Sequence, residues 1–279
     1  MIDLRPSAPV REDAEVIART DVPHYTLVEL AAPRIADRLE PGQFVSVPAP
    51  PDQGPPGRWM LSPSAVRRSP SKAGVLRFIV NRGNTFRTAF DTLRPGDRVA
   101  LIGALGCPVR LSEAPGPVLI VAVGHGVAFA CHLAEELARR DRPCAVHVFF
   151  PEPVTETAAP WVADVPDRAA ITAAAMPDSQ HWTPRLRALL DAVRPGQVVV
   201  AAATPIARSI AGECRSRTVP CLVLTEPFMA CGIGLCLTCA VPVRDGELRQ
   251  RFARACVEGP AFAADAIDWE LLAAAGRPE

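Results

Sequence analysis

Lysine is almost missing from this chain: Lys72 stands alone among 30 basic residues, and all the others are arginine. Beside abundant alanine and proline, that bias has the look of GC-rich coding rather than of a recruited basic surface. Thirty acidic residues cancel the basic ones, so no net field draws the chain to nucleic acid or to an anionic membrane. No apolar run reaches the ~18 residues of a membrane span, and Met1-Ile2-Asp3-Leu4-Arg5-Pro6 lacks a basic-then-apolar leader. A cytoplasmic protein without membrane insertion is the expectation. Catalytic constellations are missing too. His24, His132, His147 and His181 show no pairing with one another or with carboxylates at ligand spacing, and there is no Gly-x-Ser-x-Gly elbow. With no acid–base dyad in view, any chemistry is assigned to cofactors.

What the chain does have is size and an ordinary interior. At 279 residues, 49% hydrophobic and 22% charged, it suits two soluble domains with a small appendage. Nine cysteines, an odd number, point to reduced thiols and metal ligation rather than to a disulfide framework. Cys107, Cys131, Cys144, Cys214 and Cys221 lie in apolar contexts and read as core or bystander residues. The other four are different. Cys231, Cys236, Cys239 and Cys256 follow C-x4-C-x2-C with a distant fourth cysteine, the spacing of a plant-type [2Fe–2S] loop. Gly232 and Gly234 lack Cβ atoms, so the loop can turn its amides toward cluster sulfurs. Structural zinc is the competing reading. Zinc ligands usually come as two close pairs, whereas here the last ligand stands alone and the first gap is four, which favours iron and sulfide. Four small buried hydrophobes are a third reading, set against by the glycine-interleaved spacing.

The run Glu226-Pro227-Phe228-Met229-Ala230-Cys231-Gly232-Ile233-Gly234-Leu235-Cys236-Leu237-Thr238-Cys239, with Cys256-Val257-Glu258-Gly259-Pro260-Ala261-Phe262 after it, closely resembles the cluster segment of the dihydroorotate dehydrogenase electron transfer subunit family. That family lies within the ferredoxin reductase superfamily. The resemblance implies a fold that is α/β plus all-β, in three parts: a flavin-binding antiparallel β-barrel over 1–112, a nucleotide-binding parallel α/β sheet over 113–225 and a [2Fe–2S] segment over 226–279. It also implies FAD, NAD(P)H as substrate and a catalytic flavoprotein partner in a hetero-oligomer, with a place in pyrimidine biosynthesis.

The first part reads as short strands between Pro and Gly signals: Ala14–Thr20, Tyr25–Leu30, Phe44–Pro48, Trp59–Ser62, Val75–Asn81 and Arg98–Ile102, with a helix over Thr85–Leu93. Six such strands suggest a small antiparallel barrel. Pro41-Gly42-Gln43-Phe44 resembles the family's strand opening, and its flavin motif falls at Trp59-Met60-Leu61-Ser62, where tryptophan takes the arginine position. Arg58 is the substitute anchor if the strand slips. Phe78-Ile79 stands where the family has an aromatic-basic pair, and Asn84-Thr85 where it has Gly-Thr. Arg77 and Arg82 are further substitutes, although alternation turns them away from Phe78. A barrel whose strands merely contain an ordinary Arg, Ser and Thr is the bland alternative.

In the second part the continuous apolar run Val118–Val123 reads as a buried parallel strand. It enters Gly124-His125-Gly126 and then a helix over Val127–Arg140. Strand, glycine loop and helix N-terminus together make an anion site, although glycine turns of this kind are also common punctuation. His125 reads as a solvated loop histidine. Ala145–Phe150, Val198–Ala202 and Cys221–Leu224 follow as strands, the last closing the sheet, and Trp182–Val193 and Ile206–Arg215 as helices. The family's glycine loop is matched with Ala122 and Val123 in place of its leading glycines, and Thr204-Pro205 resembles its next loop. No acidic ribose clamp can be picked out, which leaves NADH against NADPH open.

The function implied is electron transfer among NAD(P)H, FAD and a [2Fe–2S] cluster, to or from a dihydroorotate dehydrogenase-like flavoprotein. The small subunit of an NADH-linked sulfide dehydrogenase, transhydrogenase or hydrogenase shares the architecture. A cofactor-depleted structural or regulatory module is the non-enzymatic alternative, raised by the departures at the flavin motif.

Overall fold

A computed structural model describes residues 8–22, 25–48, 58–68, 74–81, 93–150, 169–175, 179–244 and 250–274. The first part is an antiparallel sheet of β1 (Val10–Val22), β2 (Tyr25–Ala31), β3 (Phe44–Pro48), β4 (Arg58–Leu61), β5 (Ala65–Arg67), β6 (Val75–Asn81) and β7 (Arg98–Leu105). Its strand order is β4-β3-β7-β1-β2-β6-β5. Alternation sends Val28 and Leu30, Val45 and Val47, Leu76 and Phe78, and Val99 and Leu101 into one core, with Val66 and Leu61 joining from the two outer strands. Both edges of the sheet therefore meet across the same interior, and α1 (Pro33–Ala36) packs Ile35 and Ala36 into it. The sequence reading missed β5, a strand of only three residues behind Ser62-Pro63-Ser64, and began β1 four residues late because Val10 is followed by charged residues.

The second part holds the parallel strands β8 (Val118–Val123), β9 (Cys144–Phe150), β10 (Ala169–Ala175), β11 (Gln197–Ala201) and β12 (Cys221–Leu224), in the order β10-β9-β8-β11-β12. Val118 to Ala122 are all at 0% exposure, as a strand covered on both faces requires. One cover is α2 (Val127–Arg139), which packs Phe129, Leu133 and Leu137 on the side shared with Val22 and Tyr25 of the barrel. The other is α3 (Ser179–Val193) with α4 (Thr204–Ser216), whose Leu186, Leu190 and Ile210 meet Leu119, Val121 and Val200. Each such buried side chain contributes about 1.5–3 kcal/mol. The helix read over Val127–Arg140 ends one residue earlier, at Arg139, while the two later helices each start earlier than read, α4 with its proline in the first turn.

The sheet does not end at β12. After β13 (Ala240–Arg244), β14 (Gln250–Arg254) and the short helix α5 (Ala255–Glu258), the chain returns as β15 (Ala261–Ala263), which pairs antiparallel with β12, before α6 (Trp269–Ala274). The third part is thus stitched into the second. Its other face rests on the outside of the barrel, where Phe44, Met60, Ile102 and Leu105 pack against Cys239, Val241, Val243 and Cys256.

One buried group gives the fold a pH dependence. His132 on α2 is 1% exposed, its Nε2 has no hydrogen-bond partner among the described residues, and burial with Arg139 and Arg68 nearby pushes its pKa down to about 3. The folded protein therefore keeps the ring neutral, while the unfolded chain protonates it below its ordinary pKa. The stability this imbalance withholds is absent above pH 6.5 and grows as pH falls from there toward 3, by about 1.4 kcal/mol per unit at most. Denaturant midpoints of wild type and His132→Leu at pH 7 and pH 5 should show the variant losing less on acidification; equal losses would assign the acid sensitivity elsewhere.

Candidate redox centre

The cluster loop is wound by its backbone. Gly232 and Gly234 take φ of +71° and +83°, and Leu237 takes +62°, a region that glycine enters freely and other residues rarely. Space is the second reason for glycine. A Cβ on Gly232 would lie 2.6 Å from Met60 Sδ, and one on Gly234 would lie 2.6 Å from Val257 Cγ2. Arg254 fastens the loop from outside by donating to the Gly234 carbonyl at 3.2 Å.

Of the four cysteines named from spacing, Cys239 and Cys256 are both buried with sulfurs 3.2 Å apart, and Cys231 and Cys236 lie nearer the surface. Hydrogen bonds from Thr238 and from Cys231 hold the Cys236 thiol down to about pKa 6, and burial beside Cys239 pushes Cys256 up to about 12. Thiolates are what a metal takes, and a bound ion deprotonates the more reluctant sulfurs itself. Three thiols on one glycine-wound loop and a fourth on α5 would suit a [2Fe–2S] cluster.

Next to this loop lies the strand expected to face the flavin. β4 pairs with β3 in continuous register, Ser46 opposite Met60 and Pro48 opposite Arg58, so the strand does not slip. Trp59 and Leu61 share one face and Arg58 and Met60 the other; Trp59, Leu61 and Ser62 keep partly exposed surface. The Arg58 guanidinium donates to Ser46 Oγ, to the Ser46 carbonyl and to the Ala100 carbonyl. Phe78, at 1% exposure, has its side chain in the barrel interior. Ile79 faces the opposite way, against the core beneath α2. Arg77 sits opposite Glu29 on β2 and pairs with it at 2.7 Å. Asn84, Thr85, Arg82 and the expected helix over Thr85–Leu93, up to residue 92, lie outside the described residues.

The glycine loop stands at the C-terminal end of β8, where strand order reverses: β9 and β10 lie to one side, β11 and β12 to the other. Ligands of open α/β sheets bind at such a crevice. Gly124 has a φ of +54°, and no atom of the described residues lies within 4 Å of where a Cβ would stand. Gly126 is needed for the opposite reason. A Cβ there would come 2.2 Å from the Ala201 carbonyl, so only glycine lets the first turn of α2 sit against β11. His125 is exposed on the same turn.

Comparison with known proteins agrees with this geometry. Residues 226–268 match the family described as the iron–sulfur cluster binding domain of dihydroorotate dehydrogenase B. The electron transfer subunit of dihydroorotate dehydrogenase B (NAD(+)) from Desulforamulus reducens is 29% identical over 272 residues, covering 92% of this chain and 98% of that protein. This chain is similar to that electron transfer subunit over nearly its whole length. The corresponding subunit of Geobacillus thermodenitrificans is 26% identical, with the same shares of both chains covered. A solved NADH-dependent reduced ferredoxin-NADP oxidoreductase superposes with a TM-score of 0.74 at 22% identity, over 94% of this chain and 91% of its own. The ferredoxin reductase of carbazole 1,9a-dioxygenase, in its FAD apo form, gives 0.60 at 20% identity over 76% and 65%. These two likenesses establish the fold, an antiparallel barrel followed by a parallel α/β sheet, and the first extends it over 94% of this chain.

Relatives aside, the segment carries a surface the spacing did not announce. Of six large hydrophobic side chains exposed among the described residues, Phe228, Ile233, Leu235, Leu237 and Phe252 belong to it, Leu235 at 77%. Three of them, Ile233, Leu235 and Leu237, lie between the cysteines of the loop. The signal was present as an apolar loop around ligands, but apolar residues beside buried cysteines read equally well as core. No helix among the described residues is long and apolar enough to cross a membrane.

Proposed function

We propose that this chain is the electron-transfer subunit of a two-component NAD(P)H-linked oxidoreductase, passing electrons to or from a catalytic flavoprotein of the dihydroorotate dehydrogenase kind. The observation that carries it is the seat of the cluster loop. Gly232 lies against Met60, so the cluster loop is seated on β4, the strand that also carries Trp59 and Leu61 and runs into Ser62. When bound, a nicotinamide gives up a hydride, a flavin takes the pair and releases electrons singly, and an iron–sulfur cluster relays them one at a time.

Each part of the chain has a place in that division. The Gly124–Gly126 turn, backed by the N-terminus of α2, would hold the diphosphate of the nucleotide. Trp59, Leu61 and Ser62 would flank FAD, with Thr204-Pro205 at the start of α4 on the nicotinamide side. Cys231, Cys236, Cys239 and Cys256 would hold the [2Fe–2S] cluster, and the apolar side chains around Cys236 would meet the partner. Arg58 is bonded to barrel carbonyls, so further residues would join in meeting the flavin phosphates.

The test is anaerobic dye reduction by the purified chain with NADH and NADPH, with dihydroorotate tried in parallel. Nicotinamide-driven reduction without dihydroorotate oxidation is the expected result. Oxidation of dihydroorotate by the lone chain would overturn the subunit assignment, and a fully loaded protein that reduces no dye would favour the structural module.

A further inference from the structure

Resting on the [2Fe–2S] reading above, we propose that Thr238 is a positioning residue that raises the reduction potential of the cluster by donating a hydrogen bond to the Cys236 sulfur. Thr238 Oγ1 lies 3.1 Å from Cys236 Sγ and accepts the Ala230 amide at 3.3 Å. The Ala230 N–H occupies one lone pair of the hydroxyl and fixes its rotation, which leaves the hydroxyl proton directed elsewhere. An iron-bound cysteine sulfur carries no proton. Between these two groups only the threonine can then donate.

The hydroxyl is set by residue identity alone. A donor on a ligand sulfur stabilises the electron-rich reduced cluster more than the oxidised one, so its removal makes reduction harder. The loop needs no threonine for its winding, since the positive φ values fall at Gly232, Gly234 and Leu237.

The experiment is a mediated anaerobic redox titration of the full chain, read by the paramagnetic signal of the reduced cluster. Thr238→Val keeps the shape and removes the donor; Thr238→Ser keeps the donor. At the potential where half of the wild-type clusters are reduced, the reduced-to-oxidised ratio of Thr238→Val should fall roughly three- to tenfold, tenfold being about 59 mV for one electron. Thr238→Ser should stay within about twofold of wild type by retaining the donor. An unmoved Thr238→Val, or a Thr238→Ser shifted as far, would overturn the inference. Should valine block assembly, Thr238→Ala carries the same measurement and the same two outcomes. A wild-type protein without acid-labile sulfide defeats the cluster reading itself, whereas a normal wild-type cluster with an unmoved Thr238→Val potential defeats only the role of Thr238.

Discussion

Cys239→Ser protein should purify without its visible iron–sulfur absorption, with iron and acid-labile sulfide at background, while Cys144→Ser should retain both. Cys239 is 1% exposed with its sulfur 3.2 Å from that of Cys256, so the replacement removes one member of the buried pair. Serine offers a harder oxygen that must also lose its proton, a poor exchange for a thiolate at an iron that prefers sulfur. Cys144 begins β9 with its sulfur in the core under α2, and burial pushes that thiol up, away from the ligating form. Equal losses in both variants would show that the division between ligands and bystanders is wrong. Stoichiometric zinc in place of sulfide would replace the cluster with a structural site.

The second large effect is expected at the apolar rim. Leu235→Asp should weaken association with the catalytic subunit by about 30- to 1,000-fold, the range of an interface anchor worth roughly 2–4 kcal/mol. Dye reduction by the lone chain and cluster content should not change. Leu235 is 77% exposed, so in the free chain its removal leaves no cavity and strands no neighbour. In the complex it places a carboxylate into a desolvated contact. Ile17→Asp on β1, 42% exposed and outside the cluster segment, is the comparison, and calorimetric titration of one subunit with the other is the measurement. A partner affinity lowered by Ile17→Asp and untouched by Leu235→Asp would move the docking surface to the barrel.

Much of this was legible before any coordinates, for identifiable reasons. The cysteine spacing is legible because each ligand must sit at a fixed place on a tight turn, leaving little freedom to the sequence. Val118–Val123 is legible because a strand buried on both faces can hold nothing but apolar residues. β10 was not. Its Ala169-Ala170-Ile171-Thr172-Ala173-Ala174-Ala175 favours helix by intrinsic preference, and only parallel pairing with β9 makes it a strand. The part played by Arg58 was hidden for another reason. Sequence places an arginine beside a motif but does not say which carbonyls it will meet, and Ser46 and Ala100 reach it only because β3 and β7 lie side by side. Thr238 escaped notice because a hydroxyl between two cysteines looks like filler until its distance to sulfur is known.

The position of Cys256 carries a mechanical consequence. β13 and β14 form a sheet of only two strands, a unit that seldom stands alone in water. The hairpin begins one residue after Cys239 and ends two residues before Cys256, so iron bridging those sulfurs would close a ring around it. The fourth ligand also lies on the path to β15, which is anchored in the nucleotide sheet, and the Gly259 carbonyl accepts the Cys107 amide from the end of the barrel at 2.6 Å. A cluster loaded here is therefore a knot between three bodies as well as an electron relay. Stripping the iron would untie the hairpin and the barrel-to-sheet junction together, which makes metal content a determinant of how rigidly the two larger parts are held.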